Sequence, residues 1–126
     1  MANHPRIAVV DDDESVREAL KGLLRSAGYA VAVFASAEAF LTSGQVDDPA
    51  CLVLDVRMPG MSGVDLQDRL RASRIAVPVV FMTAHADANV RARVLAAGAV
   101  DLLQKPFGDQ ALLGAIEKAL GRRPSS

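Results

Sequence analysis

Short apolar runs alternate along this chain with segments whose apolar residues recur every three or four positions. The runs are typical of strands and the spaced segments of amphipathic helices, so the pattern predicts successive strand–helix units. Residues 52–54 and 79–82 are apolar at consecutive positions, as expected of strands covered on both faces. With right-handed crossovers, the prediction is an α/β three-layer sandwich. The predicted strands are 7–10, 31–34, 51–54, 79–82 and 100–104.

Capping residues and glycines delimit the predicted helices. The first helix is predicted over residues 14–27, because its leucines share one face and Gly28 follows its last turn. Ser36 is predicted to cap a short second helix that buries Ala39 and Phe40, with Ala37 as a further candidate. The other helix boundaries are predicted at Pro78 after the third helix, at Asp87 and Gly98 around the fourth, and at Gly121 after the fifth.

Composition narrows the class of protein without naming a function. The 126 residues suffice for one domain, predicted over 1–121, with 122–126 as a tail or the start of a linker. The net charge of −1 gives no reason to expect direct binding of nucleic acid or of an anionic membrane. No apolar stretch is long enough to span a membrane, and Cys51 lies alone in an apolar run. A soluble, cytoplasmic protein without a disulfide is predicted.

Five polar residues stand at or just after the ends of predicted strands. Asp11 and Asp12 follow the first strand, Asp55 the third, Thr83 the fourth and Lys105 the fifth. Because the carboxyl ends of parallel strands meet at one edge of a sheet, these side chains are predicted to converge.

Each of these residues also has an ordinary structural explanation. Acids are favoured at a helix N-terminus, where Asp13 would serve as the cap. Asp55 could be a turn acid, Thr83 could cap the next turn and Lys105 could be an exposed turn residue. Taken together, however, clustered carboxylates suit Mg²⁺, and a carboxylate beside a cation and a lysine can attack a phosphoryl group.

At this point the motifs resemble those of response regulator receiver domains of two-component signalling, over essentially the whole chain. They are Val-Asp-Asp-Asp-Glu at 10–14, Asp-Val-Arg-Met-Pro at 55–59 continuing to Gly63, Met-Thr-Ala at 82–84 and Lys-Pro-Phe at 105–107. Within that family the chain is most similar to the FixJ-like group, whose domains usually precede a helix-turn-helix. The resemblance implies a flavodoxin-like fold: a five-stranded parallel sheet in the order 2-1-3-4-5 with five helices.

The resemblance also implies a metal site and a phosphorylation site. Asp55 would accept a phosphoryl group from a histidine kinase. Asp12, Asp55 and the backbone carbonyl of Arg57 would bind Mg²⁺, or alternatively Mn²⁺, with Asp11 acting largely through water. Such a domain is a switch that catalyses only its own phosphorylation and dephosphorylation, rather than an enzyme.

Further residues are implied to contact the phosphoryl group or to support the site. Lys105 would pair with the phosphoryl oxygens or with Asp55, and Thr83 with the adjacent Ala84 would close on those oxygens after modification. Pro106 would form a rigid structural corner after the last strand, with a cis or trans bond. Homodimerisation on phosphorylation and an output domain beyond this chain are also expected.

Three positions leave alternatives open. Family members commonly carry Tyr or Phe where this chain has Leu102, so either output relies on the 83–89 loop and the fourth helix, or leucine is a packing variant. Arg57 and His85 each stand two places after a site residue. They are interpreted either as tuning the lifetime of the phosphorylated state or as solvated loop residues.

Two other functions compete with the receiver interpretation. Asp11-x-Asp13-x-Ser15 formally matches the nucleophile motif of haloacid dehalogenase-like phosphohydrolases, although no cap domain is evident. A binding module that keeps the fold without being phosphorylated is the third candidate.

Overall fold

The computed structural model describes residues 4–121 and contains a five-stranded, entirely parallel sheet. Its strand order is β2-β1-β3-β4-β5, as the resemblance implied. The tail predicted at 122–126 lies outside the described residues. The strands are β1 (Arg6–Val10), β2 (Ala30–Phe34), β3 (Cys51–Asp55), β4 (Val79–Thr83) and β5 (Asp101–Gln104).

A helix follows every strand, so the predicted alternation is confirmed. Side-chain caps begin four of the helices, at the predicted residues Asp13, Ser36 and Asp87 and also at Ser62, which was not predicted. Gly28, Gly98 and Gly121 follow helices in the left-handed conformation. The helices are α1 (Glu14–Ser26), α2 (Ala37–Leu41), α3 (Gly63–Ala72), α4 (Ala88–Ala96) and α5 (Asp109–Ala119).

The central strands β1, β3 and β4 are buried on both faces, and their side chains alternate between two cores. Phe40 of α2, Leu66 of α3 and Val94 of α4 pack in one core. Leu24 of α1 and Ile116 of α5 pack in the other. The predicted three-layer sandwich is therefore confirmed, and it leaves the carboxyl edge of the sheet uncovered for polar groups.

The prediction for the face of α2 was partly wrong. Ala37 and Phe40 are fully buried, whereas Ala39 is exposed. Residues three apart share a helix face, and the contact of the Phe40 ring with Phe34 at 5.2 Å between centroids sets which face points inward. Within residues 4–121, no helix has the length and apolar character needed to cross a membrane.

Candidate functional site

The carboxyl edge of the sheet brings together the polar residues that the sequence placed at strand ends. Asp11, Asp55 and Thr83 are buried, with at most 6% of each residue exposed. Asp12 is exposed at the mouth of the site, and Lys105 is half-buried. Buried carboxylates need compensating charge or hydrogen bonds, and the site provides both.

Lys105 links the two buried carboxylates. Its Nζ lies 2.6 Å from Oδ2 of Asp11 and 3.5 Å from Oδ2 of Asp55. Burial alone would lower the pKa of Lys105, but the hydrogen bond to Asp11 and the charge of Asp55 raise it above its ordinary value. Lys105 is therefore a permanent cation at the site.

Asp55 has the clearest perturbation among the acids. Burial and the negative charge of Asp11 raise its pKa to about 6, although Lys105 and the backbone N–H of Arg57 oppose the rise. The N–H of Arg57 lies 3.4 Å from Oδ1 of Asp55. An acid with a raised pKa beside a fixed cation is a common feature of functional sites.

Asp11, Asp12 and Asp55 form a group suited to a hard cation. One carboxylate oxygen from each lies within 4.8 Å of the others. Oδ1 of Asp11 accepts the N–H of Asp13 at 2.9 Å, and its Oδ2 accepts from Lys105. The oxygens of Asp11 are thus already engaged. This donor set fits Mg²⁺, which takes one or two carboxylates and keeps several waters.

Thr83 is engaged in a local turn. Its Oγ1 accepts the N–H of His85 at 3.2 Å, and its backbone carbonyl accepts the N–H of Lys105 at 2.7 Å. Ala84 and His85 are exposed. The structural explanation offered for Thr83, a cap on the following turn, therefore holds in this conformation, and the hydroxyl remains at the edge that carries the acids.

The loop after β3 is tied closely to Asp55. The N–H of Gly63 donates to the carbonyl of Val56 at 2.9 Å, so the chain doubles back on the end of β3. A Cβ added to Gly63 would lie 2.2 Å from the carbonyl oxygen of Asp55. Only glycine allows that approach. The side chain of Arg57 is exposed, so only its backbone is held near the acids.

The remaining predicted positions lie on and after β5. Leu102 is half-buried and packs against the core that contains Phe81 and Val94. The Lys105–Pro106 peptide bond is cis, and Pro106 is exposed. Leu102 thus occupies a packing position in the described conformation.

Arg17 contributes to the site although no motif singles it out in the sequence. Its Nη1 donates to the backbone carbonyl of Asp11 at 2.8 Å, across the loop between β1 and α1. Asp13 lies beside this contact and caps α1 by accepting the N–H of Ser15 at 2.8 Å. A cation near a helix N-terminus opposes the helix dipole, and that anomaly was the available clue to Arg17.

The chain matches a known protein family and several of its members. Residues 7–117 match the model of the response regulator receiver domain. Nodulation protein W of Bradyrhizobium diazoefficiens is 47% identical over 92% of this chain and 51% of its own length. The transcriptional regulatory protein FixJ of Azorhizobium caulinodans is 45% identical over 92% of this chain and 55% of its own.

A solved structure agrees with these sequence matches. The crystal structure of FixJ-N is 38% identical, covers all of both chains and superposes with a TM-score of 0.85. The chain spans about half the length of the curated relatives it matches. A family match across most of the chain, joined to the acidic edge of a 2-1-3-4-5 sheet, places this chain in the family of response regulator receiver domains.

Proposed function

We propose that this domain is a phosphorylation-dependent switch that accepts a phosphoryl group from a histidine kinase on Asp55. The observation that carries the proposal is the position of the Lys105 ammonium group, 3.5 Å from Asp55 and 2.6 Å from Asp11. That cation can neutralise charge on a transferring phosphoryl group held against Asp55.

The chemistry begins with the ionised carboxylate of Asp55. One of its oxygens attacks the phosphorus atom, and an acyl phosphate forms as the phosphorus–nitrogen bond to the kinase histidine breaks. The bonding electrons stay on that nitrogen, which leaves as neutral imidazole when the other ring nitrogen carries a proton. Lys105 balances charge on the phosphoryl oxygens throughout the transfer.

Asp12, Asp55 and the carbonyl of Arg57 would hold Mg²⁺, or Mn²⁺ in its place, while Asp11 would act through water. Asp11 suits that indirect role because both of its oxygens already accept hydrogen bonds. When bound, the cation would offset negative charge on the phosphoryl oxygens and on the carboxylates.

The first prediction tests the acceptor. Acetyl phosphate with Mg²⁺ is expected to add one phosphoryl group to the intact protein, and Asp55→Asn is expected to abolish the gain, as followed by intact-protein mass spectrometry. Asp68→Asn on the exposed side of α3 is the matched control and should be modified like the unaltered chain. Equal modification of the Asp55→Asn variant would refute the assignment.

We propose that Thr83 and Ala84 move toward the phosphoryl oxygens after transfer and carry the loop before α4 with them. The loop is held at Ala86, whose N–H lies 3.3 Å from Oε1 of Gln104 and whose carbonyl accepts from Arg91 at 3.2 Å. These contacts join the loop to β5 and α4. They support an output route through the loop that needs no aromatic ring at Leu102.

The second prediction concerns the lifetime of the phosphorylated state. The backbone N–H groups of Arg57 and His85 donate to the side chains of Asp55 and Thr83, so the exposed side chains of both residues start beside the site, from where they could orient or exclude water. Arg57→Asn and His85→Ala are expected to change the dephosphorylation rate several-fold. Decay of the phosphorylated mass after removal of the donor measures that rate, and unchanged decay in both variants would assign the residues to the solvated loop.

The wider context is proposed from the relatives. Because the chain spans about half their length, we expect an output domain to follow residues 1–121 in the full-length protein. A homodimer formed on phosphorylation, a cytoplasmic location and no direct contact with nucleic acid or membrane remain predictions. The phosphohydrolase alternative loses support because Asp13 is used as the cap of α1. The unphosphorylated binding module would be favoured by a failure to bind Mg²⁺.

A further inference from the structure

Glu38 contacts the loop that follows Asp55. It lies on α2, a helix that carries none of the three clustered carboxylates. Its Oε2 accepts the backbone N–H of Met61 at 3.0 Å, a contact across 23 residues of sequence. The neighbouring Gly60 has a φ of +77°, and a Cβ on it would lie 2.7 Å from the same oxygen. The carboxylate of Glu38 therefore lies directly against the turn at Pro59–Gly60–Met61.

The helix that carries Glu38 is firmly anchored. Ser36 caps α2 by accepting the N–H of Ala39 at 2.9 Å, and Ala37 and Phe40 are fully buried on either side of Glu38 in the sequence. Because this short helix is fixed by its core contacts, it provides a rigid base for an exposed carboxylate.

The segment that Glu38 contacts connects two parts of the site. It begins at Asp55 and ends at Gly63, whose N–H returns to the carbonyl of Val56. Between these ends Met58 is buried in the same core as Phe40. The carbonyl of Arg57 lies inside this segment, so a shift of the turn would move that carbonyl relative to the acids.

The ionised form of Glu38 is the one that makes this contact. The hydrogen bond from the Met61 N–H lowers the pKa of Glu38 below its ordinary value, so the carboxylate is charged at neutral pH. A charged acceptor forms the stronger hydrogen bond to a backbone N–H. The contact is thus present under the conditions in which the site would work.

We propose that Glu38 is a positioning residue for the metal site, fixing the Pro59–Met61 turn and through it the Arg57 carbonyl. Glu38 lies outside the cluster of three carboxylates and is not itself a ligand. The inference rests on the proposed function, because it concerns the carbonyl expected to complete the Mg²⁺ site. Residues that orient metal ligands commonly affect metal affinity when they are replaced.

The test compares Mg²⁺ binding among matched variants of this chain. Glu38→Ala removes the acceptor, Glu38→Gln keeps an oxygen that can accept the Met61 N–H, and Glu117→Ala removes an exposed glutamate from α5. Titration calorimetry measures the Kd for Mg²⁺ directly. The rate of phosphorylation by acetyl phosphate, followed against Mg²⁺ concentration, separates half-saturation from the maximal rate.

Glu38→Ala is expected to raise the Kd and the half-saturating Mg²⁺ concentration about 10-fold, with a maximal rate close to that of the unaltered chain. Glu38→Gln should restore binding to within about twofold, and Glu117→Ala should change nothing, since neither loses a positioning contact. Gly60→Ala would bring a Cβ against the Glu38 carboxylate and strain the same turn, so it should weaken Mg²⁺ binding in the same direction.

The outcomes separate this inference from the function on which it rests. If the unaltered chain binds Mg²⁺ and is phosphorylated but Glu38→Ala behaves like Glu117→Ala, the positioning role is refuted. Equal weakening in Glu38→Ala and Glu38→Gln would also refute it, because the effect would then follow charge and not the hydrogen bond. If the unaltered chain neither binds Mg²⁺ nor is phosphorylated, the proposed function itself fails.

Discussion

At the scale of single residues, the distribution of hydrogen bonds separates acids that look equivalent in sequence. Asp11 and Asp12 are neighbours, yet Asp11 is fully buried and bonded to Lys105, whereas Asp12 is exposed. Asp55 is buried with a longer contact to the same lysine. Its negative charge is thus incompletely compensated, and this lowers the stability of the folded state when no cation is bound.

The third prediction follows from the raised pKa of Asp55. The folded-state value is about 6 against an ordinary 3.8, so the folded protein binds more protons between these values and loses stability as pH rises through them. Asp55→Asn removes this cost. At about pH 7.5 it should raise the free energy of unfolding by roughly 1–2 kcal/mol, after allowance for solvent screening.

Denaturant titration in the presence of a chelator measures this gain. It should shrink below about pH 6 and vanish only well below pH 3.8, where the carboxyl group is neutral in both states. Asp68→Asn, at an exposed position, should show no such pH dependence. A gain of constant size across this pH range would contradict the electrostatic explanation.

The fourth prediction concerns the close approach at Gly63. A Cβ there would meet the Asp55 carbonyl oxygen at 2.2 Å and the Leu54 side chain at 3.1 Å, and the backbone atom cannot rotate away. Gly63→Ala should therefore lower the free energy of unfolding by about 1–3 kcal/mol and slow phosphorylation by displacing Asp55.

Gly22→Ala is the matched control for Gly63→Ala. Gly22 is exposed within α1, and nothing lies within 4 Å of a Cβ built there. Alanine should raise the free energy of unfolding by about 0.5–1 kcal/mol, because glycine is a poor residue inside a helix. Thermal unfolding of both variants measures the two opposite changes in stability. An unchanged unfolding midpoint for Gly63→Ala would contradict the prediction, because it would show that the loop can move to accommodate the Cβ.

At the scale of elements, three helices end in the same hydrogen-bonded turn. After α1, the N–H of Gly28 donates to the carbonyl of Arg25, and that of Tyr29 to the carbonyl of Leu24. The same pair of bonds follows α4, where Gly98 is the left-handed residue. These are Schellman motifs, in which glycine is favoured because it adopts positive φ without strain.

The end of α3 has the same motif with an arginine in the glycine position. Arg74 has a φ of 61°, its N–H donates to the carbonyl of Arg71, and Ile75 donates to the carbonyl of Leu70. For a residue with a side chain this conformation costs about 1 kcal/mol. The turn forms regardless, because the apolar residues around it pack into the core.

The fifth prediction is that Arg74→Gly stabilises the domain. Removing the strain should raise the free energy of unfolding by roughly 0.5–1 kcal/mol, with part of the gain offset by the greater freedom of glycine in the unfolded chain. Arg74→Ala, which keeps the strain but removes the charge, serves as the control in chemical denaturation. An equal gain from alanine would attribute the effect to the guanidinium group.

At the scale of the whole molecule, the parallel sheet joins the site to the surface that would respond to it. β1, β3 and β4 deliver the acids and Thr83 to one edge, and β5 delivers Lys105 and Gln104 beside them. The loop before α4 is bonded to Gln104 and to Arg91, so it spans from the site to the outer helix. In the proposed switch, a change at Asp55 would reach α4 through the hydrogen bonds of the Ala86 backbone to the side chains of Gln104 and Arg91.

Sequence patterns alone were enough to predict the elements, their order along the chain and the residues at the carboxyl edge. Periodicity and capping are local properties, so the strand runs and the caps at Asp13, Ser36 and Asp87 could be predicted. Polar residues after buried strands must meet at one edge of a parallel sheet. The convergence of Asp11, Asp55 and Lys105 followed from that rule.

How these groups share their contacts depends on packing between elements that are distant in sequence. The buried face of α2, the bonds of Asp11, the Arg17 contact and the reach of Glu38 to Met61 all join residues from separate elements. No local pattern encodes such pairings, because they depend on how whole helices settle against the sheet. The sequence thus specified which groups form the site, and packing specified which contacts each of these groups makes.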